Sequence, residues 1–515
     1  MSRATAFLAA VAAAACPAFA SGPVYEVVWE GGDALPQTTF ATLLRPSVVS
    51  TGQVVFRAFL AGSGIGSGND LTLWSGGQPL PQLLCQEGDA YPPAGPGVTA
   101  SCPDATGAVN GGPSAPVRVF GTTWLSGSGV TTADDTIRTV FAGTTASSVL
   151  VAREGDPAPG TDAVFDQAFG DHRVLPSGTV AFSGPLRAGT TTSGIWSGPA
   201  SATALHVKAG DPAPGLGAAF QGFSGLMLSP SGHLVYRGYT PGGAAGLYRA
   251  LSGGAPQLVA STGTAMPGGG TLLDVASWAV NRTGTVALQG YLSVSSTGVW
   301  VTGAGTTLRA VAVPGQAAPD YGTFAAAGRP SIGGDGICFF AQLSLGPDGL
   351  YCEFDGTLHV IARENDTPPA LSPGETVGDL LWGPVLNRHR QVLFISQVTG
   401  AGGPFLTWWL RDTTGQLRVL ARVGQALELA PSGLVKTVSN LDIPDGEFPT
   451  SLHIGSSSAL NDRGEVVFLA DFSDGTTGIL LARPELLAGE EILADGFESG
   501  TTAGWSGTVG GLLYR

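Results

Sequence analysis

Short hydrophobic runs alternate along the chain with clusters of glycine, proline, asparagine and aspartate. Runs such as "VLVARE" and "LHVKA" each lead into the same loop, "GDPAPG", at Gly155–Gly160 and Gly210–Gly215. Beyond the N-terminal segment, no stretch shows a convincing helical period. Short β-branched or aromatic runs bounded by turn residues are typical of strands. The pattern therefore predicts an all-β protein.

The "GDPAPG" loop belongs to a series that recurs along the chain. Related loops such as "EGGDALP" and "RENDTPPA" follow one another at intervals of about 50 to 60 residues, a period that indicates a solenoid, a propeller or an array. Eight such loops are centred on Asp33, Asp89, Asp156, Asp211, Thr264, Gln316, Asp366 and Gln425.

Each unit of the series contains four short strands. An apolar run, a turn-plus-strand such as "LPSGTVAF", a glycine-led strand and a final strand recur in this order. Eight such units predict an eight-bladed β-propeller of four-stranded antiparallel blades over residues 24–484. The third strand carries a recurring aromatic residue, which we expect to pack between neighbouring blades: Trp74, Trp196, Tyr248, Trp300, Tyr351 and Trp408.

The two ends of the repeat region complement each other. The eighth unit stops after "TGILLARP" (Thr477–Pro484) and lacks its last strand, whereas "VYEVVWEGGD" (Val24–Asp33) is a last strand and loop without a preceding blade. An open array would leave both fragments unpaired. We therefore expect the N-terminal strand to close the ring.

The N-terminus predicts export. Residues 1–20 combine Arg3, an apolar stretch and the small-x-small sequence Ala18-Phe19-Ala20, as in a secretory signal peptide. A lipoprotein interpretation would use Cys16, but the usual leucine before it is missing. No later run reaches the roughly 18 to 20 apolar residues of a transmembrane helix. A secreted, periplasmic or outer-surface protein is the expectation, with residues 485–515 as a separate tail.

Composition narrows the range of partners. The formal net charge is −15, only 12% of residues are charged, and the lysines are Lys208 and Lys436. Such a surface repels phosphate backbones, which disfavours nucleic-acid binding. We expect a monomer without cofactors or metals whose partner is an unknown protein or glycan at the cell surface.

The cysteines of the mature chain predict two local disulfides. They are Cys85, Cys102, Cys338 and Cys352, an even number in an exported chain. A metal site would favour CxxC spacing, which is absent.

Candidate chemistry is sparse. The loop aspartates could bind cations, but we favour turn capping, with the carboxylate accepting from a backbone N–H two residues on. Asp274, Asp379 and Asp442 fall in first-strand regions, where a carboxylate pair could serve a glycosidase. His206 and His359 occupy what the repeat suggests are equivalent last-strand positions. No GxSxG motif lies between a strand and a helix.

The turn-plus-strand element resembles exported bacterial proteins with a tandem NxxGxxAF repeat. Asn281 and Gly284 match this motif in one unit, and Asn461, Gly464 and Phe468 match it in the last. The tail "ILADGFESGTTAGWSG" (Ile492–Gly507) resembles a DGFESGxTxxWS segment of other exported proteins, and could serve in sorting or attachment. The resemblance implies an exported, surface-linked repeat protein and provides no catalytic residues.

Two functions remain open from the sequence. The first is a non-catalytic exported scaffold for binding or adhesion, with its binding surface on the irregular segments Cys85–Asp135 and Ala426–Ser458. The alternative is a polysaccharide hydrolase or lyase that uses carboxylates in the propeller channel. The sequence therefore leaves enzymatic activity open. The scaffold interpretation, which predicts no activity, is the preferred one.

Overall fold

The computed structural model describes residues 24–31, 38–76, 81–103, 107–110, 116–143, 147–167, 169–303, 305–319, 321–430, 432–442 and 458–483. In strands Val24–Glu30 and Gly107–Asn110 only the backbone is described. The predicted signal peptide, the loop residue Asp33 and the C-terminal tail lie outside these ranges and stay predictions.

The first four blades follow one another along the chain. Blade 1 contains β2 (Thr38–Leu43), β3 (Ser47–Val48), β4 (Val54–Gly62), β5 (Leu71–Ser75) and β6 (Gln82–Gln86). Blade 2 contains β7 (Asp89–Ala90), β8 (Val98–Ala100), β9 (Gly107–Asn110), β10 (Val117–Gly127), β11 (Thr136–Ala142) and β12 (Val149–Arg153). Blade 3 contains β13 (Val164–Phe165), β14 (His172–Val174), β15 (Thr179–Arg187), β16 (Ser193–Pro199) and β17 (Ala204–Lys208). After a small hairpin of β18 (Pro212–Ala213) and β19 (Ala218–Ala219), blade 4 contains β20 (Gly222–Leu228), β21 (His233–Tyr239), β22 (Ala245–Leu251) and β23 (Gln257–Ser261).

The remaining blades are more regular. Blade 5 contains β24 (Leu272–Val280), β25 (Val286–Leu292), β26 (Ser296–Thr302) and β27 (Leu308–Ala312). Blade 6 contains β28 (Phe324–Gly333), β29 (Gly336–Leu343), β30 (Gly349–Phe354) and β31 (Thr357–Arg363). Blade 7 contains β32 (Thr376–Leu386), β33 (Val392–Gly400), β34 (Gly403–Arg411) and β35 (Leu417–Arg422). Blade 8 contains β36 (Ala426–Ala430), β37 (Leu434–Leu441), β38 (Val466–Phe472), β39 (Thr477–Arg483) and β1 (Val24–Glu30).

The predicted all-β, eight-bladed propeller is confirmed. The described ranges contain a 3-10 turn, Pro92–Ala94, and no α-helix. Blades 4 to 7 are four-stranded antiparallel sheets as expected, but blades 1 to 3 contain additional short strands and blade 8 contains a fifth strand, β36, that runs parallel to β1. In blades 1 and 3 the first strand is divided into two pieces that pair with the same second strand.

The N-terminal strand joins the last blade. β1 runs antiparallel to β39 from Val24↔Arg483 to Glu30↔Gly478, and it touches β36 in parallel at Tyr25↔Leu429. Blade 1 also packs directly on blade 8 through one buried cluster, whose members include Phe40, Phe56, Trp74, Val467, Ile479 and Leu481.

The recurring aromatic residues form the contacts between blades. Each lies opposite an apolar or aromatic residue of the second strand. At the same position a bulge shifts the pairing between the third and fourth strands by one residue. Trp196 stacks on Phe182 with 5.5 Å between ring centroids, within a cluster that joins blades 2 and 3. In blade 7 the equivalent residue is Trp409, stacked on Phe394, and not the predicted Trp408. A one-residue offset in a strand reverses the face, so Trp408 packs toward blade 8.

The same aromatic residues also hold the loops that connect the blades. Trp196 Nε1 donates to the carbonyl of Pro159 at 3.1 Å, and Trp300 Nε1 donates to that of Pro267 at 2.8 Å. Tyr248 donates its hydroxyl to the carbonyl of a third loop proline, Pro214, at 3.1 Å. Their phase in the repeat is therefore explained by packing and loop anchoring.

The connecting loops share one turn. The glycine of the loop adopts positive φ, for example 82° at Gly155 and 93° at Gly210, where an L side chain would be strained. Asn365 replaces that glycine before blade 7 with φ 70°, a conformation that asparagine tolerates. Turn capping by the aspartate is confirmed, but its geometry differs from the expectation. Asp211 accepts from the N–H of Lys208, three residues before it, because the side chain folds back across the turn.

Asparagines that open the turns between first and second strands join consecutive blades. Asn461 Oδ1 accepts from the backbone of Arg463 and Glu465 within its own turn, while Nδ2 donates to the carbonyl of Val49 in blade 1 at 3.0 Å. Asn387 Nδ2 donates in the same way to the carbonyl of Asn461 at 3.0 Å. Asn281 does so to Gly334, from blade 5 to blade 6, at 2.9 Å. One side chain thus closes a turn and fixes the next blade.

Candidate functional site

The antiparallel strands give the propeller two distinct faces. Connections between blades and connections between second and third strands lie on one face, which we call the loop face. Turns between first and second strands, and between third and fourth strands, lie on the other, the turn face. At the turn face, Arg282 of blade 5 and Arg388 of blade 7 both approach Asp462 Oδ2 of blade 8, at 3.7 and 3.6 Å. Turns of non-adjacent blades therefore meet near the axis.

Charge is divided unequally between the faces. Among the side chains that the structure describes, the loop face carries the acidic residues Asp70, Glu87, Asp89, Asp134, Asp135, Glu154, Asp156, Asp162, Asp166, Asp211, Asp348, Glu364, Asp366, Glu375, Glu428, Asp471 and Asp474. The basic residues there are Arg153, Arg187, Lys208, Arg363, Arg422 and Lys436. The turn face is richer in basic residues, with Arg118, Arg249, Arg282, Arg309, Arg388, Arg390, Arg411, Arg418, Arg463 and Arg483. Among the described side chains, the excess of acidic over basic residues is thus found on the loop face.

Exposed apolar side chains gather on the loop face of blades 5 and 6. Large exposed side chains occur at Leu273, Tyr291, Val294, Tyr321 and Leu345, each more than half exposed. We call these five residues the apolar patch. Exposed apolar groups scattered singly are ordinary, whereas several on one face of two adjacent blades are unusual for a solvent-facing surface.

Carboxylates border the apolar patch on its blade 7 side. Burial, together with the charges of Asp348 and Asp379, raises the pKa of the Glu364 carboxyl. Asp348 lies in the same blade 6 loop as Leu345, and the backbone N–H of Glu364 donates to its carbonyl at 3.0 Å. We call Asp348, Glu364 and Asp379 the acidic trio.

The three carboxylates considered for catalysis lie on different blades. Asp274, in β24 of blade 5, pairs with Arg237 of blade 4 at 2.7 Å. Asp442, directly after β37 of blade 8, pairs with Arg45 of blade 1 at 2.5 Å. Asp379, in β32 of blade 7, is exposed and belongs to the acidic trio. Each of the three therefore has its own set of partners.

Two disulfides cross-link the strands, with the predicted cysteines. Cys85–Cys102 links the last strand of blade 1 to the beginning of blade 2, and Cys338–Cys352 joins directly opposed residues of β29 and β30. In the described residues, no group of three or more histidine, cysteine, aspartate or glutamate side chains is arranged to hold a metal ion. No helix in the described part of the chain is long and apolar enough to span a bilayer.

An open depression of about 610 Å³ occupies the loop face between blades 1 and 2. Gln86 Nε2 bridges its two loops by donating to the carbonyl of Asn69 at 2.7 Å. Its lining is glycine backbone and polar side chains, from Gly64, Gly66, Ser67, Gly68, Asn69, Gln86, Glu87, Gly88 and Asp89. It therefore offers polar contacts and no apolar anchor.

The two last-strand histidines are not equivalent. Trp196 pairs with Leu205 and Tyr351 pairs with Val360. The position of blade 6 that is equivalent to His206 is therefore Ile361, and not His359. His206 is largely buried and both ring nitrogens lack hydrogen-bond partners, so burial lowers its pKa to about 4.

Replacing His206 with phenylalanine should reduce the acid sensitivity of the fold. Below its ordinary pKa of about 6.5, the unfolded chain binds a proton that the folded protein takes up only near pH 4, so stability falls as the pH decreases through this window. Between about pH 7.5 and about pH 5, urea titrations should show the variant losing about 2 kcal/mol less than the wild type. The same change at the exposed His359 is the control. An unaltered pH dependence in the His206 variant would contradict this assignment.

Fold and site together define an eight-bladed β-propeller with an acidic loop face and an apolar patch on it. Within that class, the chain belongs to a family of unknown function, DUF7453, whose model matches residues 119–298 and 291–485. Among curated proteins no match to the sequence was found.

Several solved structures match this chain at low identity. The chain is similar to a puromycin-hydrolyzing peptidase of Mycobacterium tuberculosis at 14% identity and TM-score 0.38, covering 80% of this chain and 60% of the peptidase. It is similar to the β-propeller domain of the Trilobed protease of Pyrococcus furiosus at 10% identity and TM-score 0.37, covering 74% and 98%. The WD40 domain of SCAP from fission yeast also matches at 10% identity and TM-score 0.37, covering 89% and 98%. These likenesses concern the fold alone.

Sequence reasoning missed the apolar patch, although a signal for it was present. Tyr321 and Leu345 lie in connections, "APDYGTF" and "LSLGPDG", where the repeat otherwise places small or polar residues. A large apolar residue in a predicted loop has no core to enter, and that mismatch could have identified both positions.

Proposed function

We propose that this protein is an exported, non-catalytic β-propeller scaffold that binds a partner at the cell surface through its loop face. The observation that supports this most directly is the division of roles among residues. The phased asparagine, glycine and aromatic residues are used in turns, blade junctions and loop anchoring. The features outside the repeat, namely the apolar patch and its bordering carboxylates, lie together on one face.

Export is supported by independent features. The N-terminal segment has the composition of a signal peptide, and both disulfides suit an oxidising compartment. The resemblance to exported tandem-repeat proteins agrees with this location. Loops held by a rigid scaffold commonly carry binding functions, which favours the loop face as the contact surface.

A polysaccharide hydrolase or lyase is the second candidate, and one observation favours it. Burial, together with the charges of Asp348 and Asp379, raises the pKa of Glu364, so this carboxyl holds its proton more tightly than an ordinary glutamic acid, beside the exposed Asp379. Two carboxyl groups whose environments differ in this way suit general acid and base roles. The candidate pair is therefore Glu364 and Asp379.

A glycan turnover assay separates the two proposals. The purified mature protein should release no reducing ends from a panel of neutral and acidic polysaccharides. Turnover that disappears in Glu364→Gln or Asp379→Asn, but persists in the loop-face control Glu87→Gln, would establish the enzymatic alternative. Turnover that persists in all three variants would overturn the non-catalytic proposal and remove this carboxylate pair from consideration.

A further inference from the structure

We propose that the apolar patch binds a cationic, amphipathic polypeptide segment of a partner protein. This inference rests on the proposed binding role and names the chemical class of the partner.

The apolar patch spans the loop-face ends of blades 5 and 6. Leu273 lies at the bulge where β24 pairs Asp274 with Tyr291, so both apolar side chains belong to the same end of blade 5. Val294 follows in the adjoining connection between the second and third strands. The hydroxyl of Ser296, two residues further, donates to the carbonyl of Ala325 in blade 6, which joins that connection to the neighbouring blade.

The blade 6 half of the patch is formed by two loops in contact. A Cβ added at Gly346 would clash with the ring of Tyr321, and one added at Gly322 would meet the carbonyl of Leu345 at 3.1 Å. The tyrosine ring therefore lies against the glycine next to Leu345. Thr323 and Ser344 link the same two loops through their hydroxyls at 2.8 Å. These contacts hold the patch in place before any partner arrives.

The negative charge around the apolar patch indicates which kind of partner binds there. The acidic trio borders the patch beyond Leu345, and the loop face as a whole is acidic. A positive partner is steered to such a surface, whereas nucleic acids and anionic lipid headgroups are repelled by it. Exposed tyrosine faces additionally attract lysine and arginine side chains. Apolar side chains of the same partner would cover the five exposed residues of the patch and remove their apolar surface from water.

The partner segment therefore needs both basic and apolar residues. A purely basic segment would leave the apolar patch in water, and a purely apolar segment would leave the carboxylates without counter-charges. A neutral sugar could stack on Tyr291 and Tyr321, but it would make no use of the acidic trio. The combination fits a polypeptide that alternates basic with aliphatic or aromatic residues.

Binding of defined peptides to the full mature protein tests this proposal. The probe is a short fluorescent peptide that alternates lysine and leucine, compared with lysine–serine and glutamate–leucine peptides of the same length by fluorescence anisotropy. Only the lysine–leucine peptide should bind well. Tyr291→Ser, Tyr321→Ser and Leu345→Ser should each weaken it about tenfold. Trp124→Ser, which removes an equally exposed aromatic side chain from blade 2, should change it less than about twofold.

The charge component has its own variants. Asp348→Asn should weaken the lysine–leucine peptide and make its affinity less dependent on salt. Thermal melts confirm that each variant is folded, and Leu345→Ser, at the most exposed position, is the variant that least disturbs the fold. Equal binding of the lysine–serine peptide, unchanged affinity in the patch variants, or equal losses in Trp124→Ser would overturn the proposal. So would tighter binding of a neutral oligosaccharide at the same patch.

The peptide-binding experiment and the glycan turnover assay can fail independently of each other. Glycan turnover by the protein would refute the non-catalytic scaffold while patch-dependent peptide binding could still hold. Conversely, absence of turnover with no peptide binding would leave the scaffold proposal standing and remove this partner class.

Discussion

Replacing Asn461 with alanine should lower the free energy of unfolding by about 3 kcal/mol, because several hydrogen bonds of roughly 1 kcal/mol each are lost at a buried junction. The side chain is 2% exposed. Its amide donates to Val49 at 3.0 Å and to the Glu465 carboxylate at 2.7 Å, while its oxygen closes the turn. Alanine would leave the Val49 carbonyl and the buried carboxylate without this donor. Urea denaturation followed by tryptophan fluorescence measures the loss.

Two further variants make the Asn461 experiment specific. Asn440→Ala removes an exposed asparagine whose amide bonds Asp471, and should cost no more than about 0.5 kcal/mol. Asn461→Asp keeps the acceptor that closes the turn but loses the donor and adds a charge beside Glu465, so it should be at least as destabilising as the alanine variant. Equal stability of Asn461→Ala and Asn440→Ala would show that the junction between blades 8 and 1 does not depend on this side chain.

Trp300→Ala should have a larger effect, about 4 kcal/mol, since it deletes a fully buried indole from a core that joins blades 4 and 5. Trp300→Phe should cost less, because it preserves most of the apolar contact and gives up the hydrogen bond to the Pro267 carbonyl. The measurement is the same denaturant titration, with unfolding slopes compared to verify that both variants unfold as the wild type does.

Trp124→Ala is the matched control for the tryptophan series. Trp124 is 51% exposed, so its removal should change the free energy of unfolding by about 0.5 kcal/mol or less. A Trp300→Ala variant as stable as the Trp124 variant would mean that the phased aromatic residues do not carry the packing between blades. In that case their recurrence would need an explanation in ligand binding instead.

Local chemistry explains why much of the fold was predictable. The loop before each blade needs a residue with positive φ, and glycine or asparagine marks that position in the sequence, as at Gly210 and Asn365. Strands of β-branched and aromatic residues between such turns indicate blades without reference to distant parts of the chain. The predicted pairing of the four mature-chain cysteines was accessible for the same reason, since each pair is close in sequence.

The candidate site was much less accessible from the sequence. Asp274, Asp379 and Asp442 were chosen by their place in first strands, and the structure gives each a different environment. Whether a carboxylate faces an arginine of a neighbouring blade depends on the register between sheets. The position of Trp409 likewise depended on a single residue of register that the repeat pattern left ambiguous. The signal peptide, the tail and the tandem-repeat resemblance stay predictions.

By itself, the sequence determined the repeat, the order of strands, the positions of the turns and the acidic character of the chain, because these depend on residue type and short-range spacing. Only the tertiary structure decided that Asn461 reaches Val49, that charge is divided between two faces, and that Tyr291 and Tyr321 share one surface with Leu345. Those relations join residues from different blades. They arise from how neighbouring sheets pack, which no local pattern specifies.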